Sequence, residues 1–353
     1  MDSSALPVPT RGAAGNPANR FEKIHLERDA DWNPEEDASP STQFLRDHTG
    51  KIINRNDSPD VGFEFSVNPY RGCEHGCIYC YARPTHEYLG FSSGLDFETK
   101  IMVKMDAASL LRSELSSPKW RPEVIAMSGV TDCYQPVERK LKLTRQCLEA
   151  LAEFRNPVAI VTKNHLVTRD IDLLSELARH QAAAVFVSVT TLDAELRKVM
   201  EPRTSPPASR LSTIAELNQA GIPVGVLVAP VIPGLTDHEI PAIVSAAVKA
   251  GAQFAGYVTL RLPYAVAPLF EQWLAHHFPD RKDKVLNRIR ALRNGKLNNS
   301  EFGSRMRGEG IFADQIESLF AVARRKAGIE GNRTQLSTAA FRRIEKNQPS
   351  LFD

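Results

Sequence analysis

The chain has 353 residues, a hydrophobic fraction of 42% and a formal net charge of +2. That length allows about two domains, although α/β barrels of this size often form a single domain. The balanced charge neither requires nor excludes a nucleic-acid partner, because local clustering of charge decides such binding. Three of the five cysteines fall within eight residues, which argues against a disulfide framework and indicates a reducing compartment.

The termini predict no fold of their own. Residues 1–20 are rich in Ala, Gly, Pro, Ser and Arg, which predicts a disordered tail without the apolar core of a secretory signal. Residues 21–60 predict an irregular arm lying on the main domain, and residues 335–353 a flexible tail. The sequence contains no run of about 18 apolar residues, so it predicts no membrane span and we expect a cytoplasmic protein.

Residues 61–264 alternate between short apolar runs and amphipathic stretches. Strands are predicted at 63–67, 124–127, 158–161, 184–189, 224–228 and 254–260, with a further short strand at 97–104. Helices are predicted at 107–115, 139–154, 170–178, 194–200, 208–220 and 239–250. This alternation predicts parallel strands with helical crossovers, and six main units are too few for a closed eightfold barrel. Residues 265–334 predict a helical extension, with helices at 266–277, 281–293 and 313–327.

The first strand leads into a cysteine loop with the spacing C-x3-C-x2-C, formed by Cys73, Cys77 and Cys80. Three thiolates on one loop can hold a soft metal centre, and no fourth cysteine lies nearby. A 4Fe–4S cluster held in this way would keep one iron open for a small molecule. Two alternatives stay open, which are a zinc site completed by His75 or His86 and three thiols without a metal. Because the loop follows a strand, we expect it at the C-terminal ends of the strands, where barrels place their chemistry.

At these residues the chain resembles the radical S-adenosylmethionine (SAM) superfamily, whose C-x3-C-x-aromatic-C signature matches Cys73, Cys77, Tyr79 and Cys80. The resemblance implies an α/β fold, an open partial (βα)6 barrel with a helical C-terminal extension. It implies a 4Fe–4S cluster, SAM bound at the open iron with Tyr79 near its adenine, and an electron donor such as flavodoxin or ferredoxin. SAM would be cleaved to methionine and a 5′-deoxyadenosyl radical that abstracts hydrogen from a substrate.

Three longer motifs narrow the resemblance: Asn-Pro-Tyr-Arg-Gly-Cys from residue 68, Gly-Val-Thr-Asp-x-Tyr-Gln-Pro from residue 129, and Glu-Pro-Arg-Thr-Ser-Pro-Pro from residue 201. They are similar to the spore photoproduct lyase-like branch, and to a bacterial family within it. That lyase uses a cysteine as hydrogen-atom donor just after its second strand, where this chain has Met127 and Ser128. The nearest thiol is Cys133, so Cys133 and the adjacent Tyr134 are the predicted catalytic residues.

Polar residues follow the predicted strands, and the resemblance implies that they bind SAM. The candidates are Ser128, Gly129 and Asp132 for the amino group, Lys163 and Arg203 for the carboxylate, and Ser188 for the ribose. Each has a structural alternative that the sequence leaves open. These alternatives are an ordinary turn capped by Asp132, a surface position for Lys163, a backbone hydrogen bond for Ser188 and an ion pair for Arg203.

The predicted substrate is a nucleic-acid base, DNA or RNA, in a reaction akin to DNA repair. Basic residues concentrate between residues 281 and 343, but acidic residues interleave with them. This pattern fits a solvated surface as well as it fits a nucleic-acid-binding patch. The chain ends in Gln-x-x-Leu-Phe, in which Gln348, Leu351 and Phe352 resemble the short peptide that binds the bacterial DNA sliding clamp. The alternative function is a non-catalytic, metal-bound module recruited to DNA through this peptide.

Overall fold

The computed structural model describes residues 7–22, 40–329 and 335–344. In chain order the strands are β1 (Gln43–Arg46), β2 (Ile53–Arg55), β3 (Phe65–Val67), β4 (Tyr70–Arg71), β5 (Lys100–Val103), β6 (Ile125–Met127), β7 (Val158–Thr162), β8 (Ala183–Ser188), β9 (Val224–Val231) and β10 (Phe254–Thr259). The α-helices are α1 (Leu95–Thr99), α2 (Ala107–Ser116), α3 (Glu138–Leu141), α4 (Leu143–Phe154), α5 (Ile171–Arg179), α6 (Ala194–Met200), α7 (Pro207–Gln219), α8 (Ile240–Lys249), α9 (Val266–His277), α10 (Pro279–Leu292) and α11 (Ile311–Lys326).

The main sheet has seven strands in the order β10-β9-β8-β7-β6-β3-β2. The six strands from β10 to β3 pair in parallel, and β2 lies antiparallel to β3 at the edge. Parallel pairing brings the C-terminal ends of the six strands to one side, because each helix returns the chain to the opposite side before the next strand begins. The predicted α/β fold with six parallel strands is therefore confirmed.

The core explains why the apolar runs form these strands. Each central strand is buried, as an all-parallel sheet requires when helices cover its faces. Fully buried side chains of the strands include Ile125, Ile160, Val185, Val224 and Val226, and those of the covering helices include Leu148, Leu151, Leu177, Leu217 and Ile243. The period of about 3.6 residues in the helices points their apolar stripe at the sheet.

The arm predicted at residues 21–60 is more regular than expected in its described part. Residues 43–46 form β1, which pairs in parallel with β5, and residues 53–55 form β2 on the main sheet. Strands β1, β5 and β4 make a second, three-stranded sheet. The sequence did not predict β1 or β2, because strands of three or four mostly exposed residues leave no readable period.

The disordered tail predicted at residues 1–20 is corrected where the structure describes it. Residues 7–22, here called the N-terminal strap, contact the segment that follows the cysteine loop. The backbone amides of Gly12 and Ala13 donate to the Glu98 carboxylate at 3.0 and 2.9 Å, and the Leu95 amide donates to the Gly15 carbonyl at 3.2 Å. Ala13 is fully buried. Small residues here allow close approach to the domain, and their composition alone does not distinguish that from disorder.

Two local predictions also differ from the structure. The helix predicted at 139–154 is divided into α3 and α4 at Lys142, whose φ of +53° does not continue a right-handed helix. The strand predicted at 97–104 begins as α1 and becomes β5 only at Lys100. Both segments lie beside the cysteine loop, where hydrogen bonds to other parts of the chain outweigh local preference.

The helical C-terminal extension is present and shares the core of the barrel. Helices α9, α10 and α11 lie within a few residues of their predicted bounds. Ile316 and Phe320 of α11 pack in the main core, while Phe270 of α9 and Ile289 of α10 pack with Cys77 in a second apolar cluster. In the described ranges, no helix is long and apolar enough to cross a membrane.

Candidate active site

The cysteine loop is held tightly at its start. Gly72 and Gly76 have φ of +79° and +66°, the left-handed region that glycine adopts without strain. A side-chain carbon on Gly76 would lie 2.7 Å from the Glu98 carboxylate, so this position also requires glycine for space. The Cys73 amide donates to the Phe97 carbonyl at 2.9 Å, which fixes the first thiol against α1.

A buried ion pair lies beneath the cysteine loop, and no motif in the sequence predicts it. Arg83 and Glu98 are both fully buried and form a charge-assisted hydrogen bond of 2.5 Å. Arg83 also donates to the Cys77 carbonyl at 2.9 and 3.0 Å and to the Gly94 carbonyl at 3.0 Å. Every N–H group of Arg83 donates a hydrogen bond, so the arginine fixes backbone carbonyls of the loop. Its charge is matched by Glu98, so neither buried charge is left unpaired.

The three thiols are free, and the residues around them fit a cluster better than a single ion. Cys73 and Cys77 are buried and Cys80 is partly exposed. Within the described residues, no three His, Cys, Asp or Glu side chains converge closely enough to hold one metal ion. A zinc site needs such convergence, whereas the cysteines of a 4Fe–4S cluster each bind a different iron. The zinc alternative is therefore unsupported.

Of the two histidines considered for zinc, His75 contacts both the Cys73 thiol and Asp132, and His86 is bonded to a backbone carbonyl. His86 shares a hydrogen bond with the Lys100 carbonyl at 2.9 Å, and His75 lies 3.4 Å from the Asp132 carboxylate. Burial raises the pKa of Cys77 well above its usual range and that of Cys80 to about 11. The thiols of Cys77 and Cys80 would thus be protonated at neutral pH, and iron would have to displace their protons, as metal binding to cysteine generally does.

A polar network lies beside the loop at the ends of β7, β8 and β9. The Lys163 ammonium donates to the Ser188 hydroxyl at 2.6 Å and to the Ala229 carbonyl at 2.9 Å. The Tyr79 hydroxyl lies 3.2 Å from the Thr190 hydroxyl and donates to Glu201. The structure therefore brings three predicted cofactor residues, Tyr79, Lys163 and Ser188, into one network.

The centre of this network is an ion pair that the sequence did not predict. Glu201 and Arg210 are almost fully buried and pair with each other, and Lys163 lies 3.6 Å from Glu201. Burial alone would raise the pKa of Glu201, but the charges of Arg210 and Lys163 outweigh it and lower that pKa. Arg210 lies on α7, just after the motif that begins at Glu201, but nothing in the sequence indicates that the two residues pair, so only the tertiary structure reveals it.

The turn after β6 has unusual backbone geometry. Ser128 has φ of +136°, which is strained for any residue with a side chain, and Gly129 follows at +110°. The Ser128 hydroxyl is 2.7 Å from the Val161 carbonyl and 3.0 Å from the Thr131 carbonyl. A side-chain carbon at Gly129 would meet nothing within 4 Å, so the space beside this turn is open.

Asp132 is the best-connected residue of this turn. Its carboxylate accepts from the Thr162 hydroxyl and the Lys163 amide at 2.8 Å, and from the Tyr134 amide at 2.9 Å. Burial works against ionisation, but His75 and these donors keep the pKa of Asp132 below its usual range. These contacts connect β6 to β7, and the predicted contact of Asp132 with the amino group of SAM stays a prediction.

Arg203 forms the ion pair that the sequence left open as its alternative role. Its guanidinium lies 3.1 Å from the buried Glu74 carboxylate, within the cysteine loop. Glu74 also accepts from the Val137 amide at 2.7 Å, and the Arg203 amide donates to the His75 carbonyl at 3.3 Å. The arginine therefore anchors the loop, while its contact with the SAM carboxylate stays a prediction.

Cys133 and Tyr134, the predicted catalytic residues, point into the core, and their catalytic roles stay a prediction. Cys133 and Tyr134 are both fully buried in the main core. The Cys133 thiol lies 3.9 Å from the Met127 carbonyl, and the Tyr134 hydroxyl donates to the Asp170 carboxylate at 3.1 Å. The chain turns inward after Asp132, so adjacency in sequence does not place this thiol in the open space at Gly129.

The predicted clamp-binding residues Gln348, Leu351 and Phe352 lie outside the described residues. The sequence also gave no role to Tyr81, which follows the third cysteine. Its side chain is 46% exposed, and its hydroxyl donates to the Gly129 carbonyl. A tyrosine directly after the third cysteine of the loop would have been a usable signal, because the loop fixes the position of that neighbour.

Comparison with known proteins defines the class. The Radical SAM superfamily profile matches residues 67–247, which is just over half of the chain. An uncharacterised protein of Mycobacterium tuberculosis is 40% identical, with 65% of this chain and 67% of that protein aligned. A protein of Pseudomonas phage M6 described as a radical SAM Nalpha-GlyT isomerase is 28% identical over 49% of this chain and 34% of its own length. The chain therefore belongs to the radical SAM superfamily and is an enzyme.

The fold agrees with this assignment. A spore photoproduct lyase solved in complex with dinucleoside spore photoproduct superposes with a TM-score of 0.55 and 16% identity, covering 80% of this chain and 79% of that one. At this identity the likeness shows a common fold, with its partial barrel and helical extension. Membership of the superfamily implies a 4Fe–4S cluster and SAM, and the three free thiols and the adjoining polar network fit both groups.

Proposed function

We propose that this enzyme holds a 4Fe–4S cluster through Cys73, Cys77 and Cys80 and uses SAM to abstract hydrogen from a nucleic-acid base. The observation that carries the proposal is the placement of three free thiols on one braced loop at the C-terminal ends of six parallel strands. When bound, the reduced cluster supplies the electron that splits SAM into methionine and a 5′-deoxyadenosyl radical, which takes the hydrogen atom.

The network beside the loop has the donors that SAM requires. Lys163 supplies a positive charge for the carboxylate, and Ser188 and Thr190 supply hydroxyls for the ribose. Tyr79 supplies an aromatic face for the adenine, with Lys163 lying 5.8 Å from the centre of its ring. Glu201 and Arg210 hold these groups in place from beneath. The chain thus orients the cofactor with side chains that already bond to one another, which lowers the reorganisation needed on binding.

A base as substrate is supported by Tyr81. Its half-exposed ring lies beside the open space at Gly129, and an aromatic face can stack on any base. The nearby charge is positive, since Arg261 lies 5.1 Å from the centre of this ring. A phage relative named as an isomerase and a lyase neighbour solved with a dinucleoside are consistent with this proposal.

The test is anaerobic reconstitution with iron and sulfide, followed by addition of dithionite and SAM. We expect a brown protein with four irons per chain, as one cluster requires, and 5′-deoxyadenosine detected by mass spectrometry. Cys73→Ala, Cys77→Ala and Cys80→Ala should each abolish both signals, while Cys147→Ala, a core thiol on α4, should retain them. Iron at the wild-type ratio in the three loop variants would refute the cluster assignment.

Two partners belong to the proposal. A small electron donor such as flavodoxin or ferredoxin would reduce the cluster in the cell, and replacing dithionite by such a protein tests this. The C-terminal residues Gln348, Leu351 and Phe352 would recruit the enzyme to the DNA sliding clamp. Deleting residues 348–353 should abolish clamp binding without changing SAM cleavage, and absence of binding by the full chain would refute it.

A further inference from the structure

A cluster of arginines lies over the end of β10, next to Tyr81. It consists of Arg261, which follows that strand, with Arg293 from the end of α10 and Arg305 from the loop before α11. Arg305 pairs with Asp60 from the arm. Arg293 donates to the Thr259 hydroxyl at 2.9 Å and to the Leu260 carbonyl at 2.8 Å, so both of these guanidinium groups serve the fold.

Arg261 differs from its two neighbours because its charge has no matched partner. Within the described residues, its only hydrogen bond runs to the Met306 sulfur at 3.5 Å, a weak acceptor, and its Nε is buried with no partner at all. The carboxylates nearby are committed elsewhere. Asp60 bonds to Arg305 and the Gly303 amide, and Glu309 accepts from Asn294.

A guanidinium group with a buried, unpaired N–H costs free energy unless a ligand supplies the missing hydrogen-bond acceptor. Burial lowers the pKa of Arg261 and Arg305 adds to the lowering, and together they outweigh Tyr81 and Asp60, which raise it. The neighbouring groups therefore do not fully compensate the cation for its burial. A buried guanidinium donor without a partner forfeits the free energy of a charge-assisted hydrogen bond. The arrangement is typical of a binding site, where an arriving anion supplies the missing acceptors.

The position of Arg261 identifies which anion it meets. Its guanidinium carbon lies 5.1 Å from the centre of the Tyr81 ring, and the Tyr81 hydroxyl donates to the Gly129 carbonyl, beside the space proposed for the reacting base. We propose that Arg261 binds a backbone phosphate of a nucleic-acid strand, next to the base that stacks on Tyr81. This inference rests on the proposed function. It specifies that the substrate is a phosphate-bearing polymer and not a free base or nucleoside.

The planar fork of arginine suits a phosphodiester, since two N–H groups can meet two phosphate oxygens at once. The guanidinium group of Arg261 lies over the Tyr81 ring, so this residue pair would hold both the phosphate and its adjoining base. The main competing ligand of the same chemistry is the SAM carboxylate, and the experiment below separates the two.

The experiment measures binding of a fluorescein-labelled single-stranded oligothymidylate to the reconstituted full chain with SAM, by anisotropy over a salt series. The same oligomer with neutral methylphosphonate linkages serves as the second probe. Arg261→Gln should weaken phosphodiester binding about tenfold and reduce the salt slope by about 0.7. It should leave methylphosphonate binding unchanged. Arg261→Lys should keep the slope and recover only part of the affinity.

Arg179→Gln is the matched control, because Arg179 is an exposed arginine paired with Glu176 on α5. It removes the same charge from another part of the surface and should change neither probe. Iron content and the thermal unfolding curve of each variant exclude a folding defect as the cause.

Three results would overturn the inference. The first is an unchanged salt slope in Arg261→Gln. The second is a loss of SAM affinity in that variant as large as its loss of oligomer affinity, which would assign the guanidinium to the cofactor. The third is a wild-type enzyme that yields 5′-deoxyadenosine but binds both oligomers equally. That last result would leave the radical chemistry standing, whereas absence of 5′-deoxyadenosine would refute the proposed function itself.

Discussion

Replacing Arg210 by Met is the most informative perturbation of this fold, because it removes a buried cation and keeps the side-chain volume. Arg210 donates to the Ser188 carbonyl at 3.0 Å, to the Ser205 carbonyl at 2.9 Å and to Thr204 at 2.6 Å, and it pairs with Glu201. Loss of one partner of a buried pair costs about 3 to 5 kcal/mol. Lys163 at 3.6 Å from Glu201 compensates in part, so we expect about 3 kcal/mol.

Urea unfolding of the metal-free protein at several pH values measures this loss of free energy. In the wild type the lowered pKa of Glu201 means that its stabilisation is present above about pH 4.5 and is lost as the pH falls further. In the variant the carboxylate is left partly uncompensated, so the difference between the two proteins should narrow as protonation removes that charge. Adding Glu201→Gln to the variant should recover part of the loss.

Lys198→Met is the control, since Lys198 pairs with Glu195 on the surface of α6 and should contribute little. A loss below about 1 kcal/mol in the Arg210 variant, or a difference that does not depend on pH, would refute the reasoning. Either outcome would mean that water or another cation stabilises Glu201.

Three further predictions concern the cysteine loop. Gly12→Val would place a carbon 1.8 Å from the Gly76 carbonyl, so the strap must move and we expect faster loss of cluster absorbance in air. Burial lowers the pKa of His86 to about 4, so up to about 3 kcal/mol of stability present above pH 6.5 should disappear towards pH 4, as urea unfolding would show. Arg203→Met breaks the pair with Glu74 and should reduce iron content, measured by colorimetry, while SAM affinity in the intact fraction stays unchanged.

Each of these three predictions has a control variant or a result that would contradict it. Gly15→Val adds the same side chain to the strap where no atom lies within 4 Å, and its cluster should decay at the wild-type rate. His86→Gln should remove the part of the pH dependence assigned to this group, and an identical pH profile would contradict the assignment. A tenfold loss of SAM affinity in Arg203→Met with full iron content would instead favour the cofactor role that the resemblance implied.

The sequence alone was sufficient for the order of strands and helices in the barrel. Runs such as residues 184–189 and 224–228 belong to buried strands, so their residues are apolar apart from Ser188 and Gly225 and the pattern is unambiguous. Helix α6 lies at its predicted bounds because Asp193 caps its start with bonds to two backbone amides. Apolar strand runs and helix caps depend on residues close together in the chain, so the local sequence is enough to predict them.

The cysteine loop was equally predictable from the sequence. The spacing of Cys73, Cys77 and Cys80 is a local property, since one loop must carry all three thiols. The polar residues at the ends of strands were located by the same logic, because parallel strands bring their C-terminal ends together. Lys163 and Ser188 accordingly meet in one network, 25 residues apart in sequence.

Only the tertiary structure decided what those residues contact. Arg83 and Glu98 look like ordinary surface charges in the sequence, yet both are fully buried beneath the cysteine loop. Cys133 sits in a motif beside the site, yet it turns into the core. Arg261 has no motif at all. Burial and the pairing of charges depend on segments far apart in the chain, and no local pattern records which segments will meet.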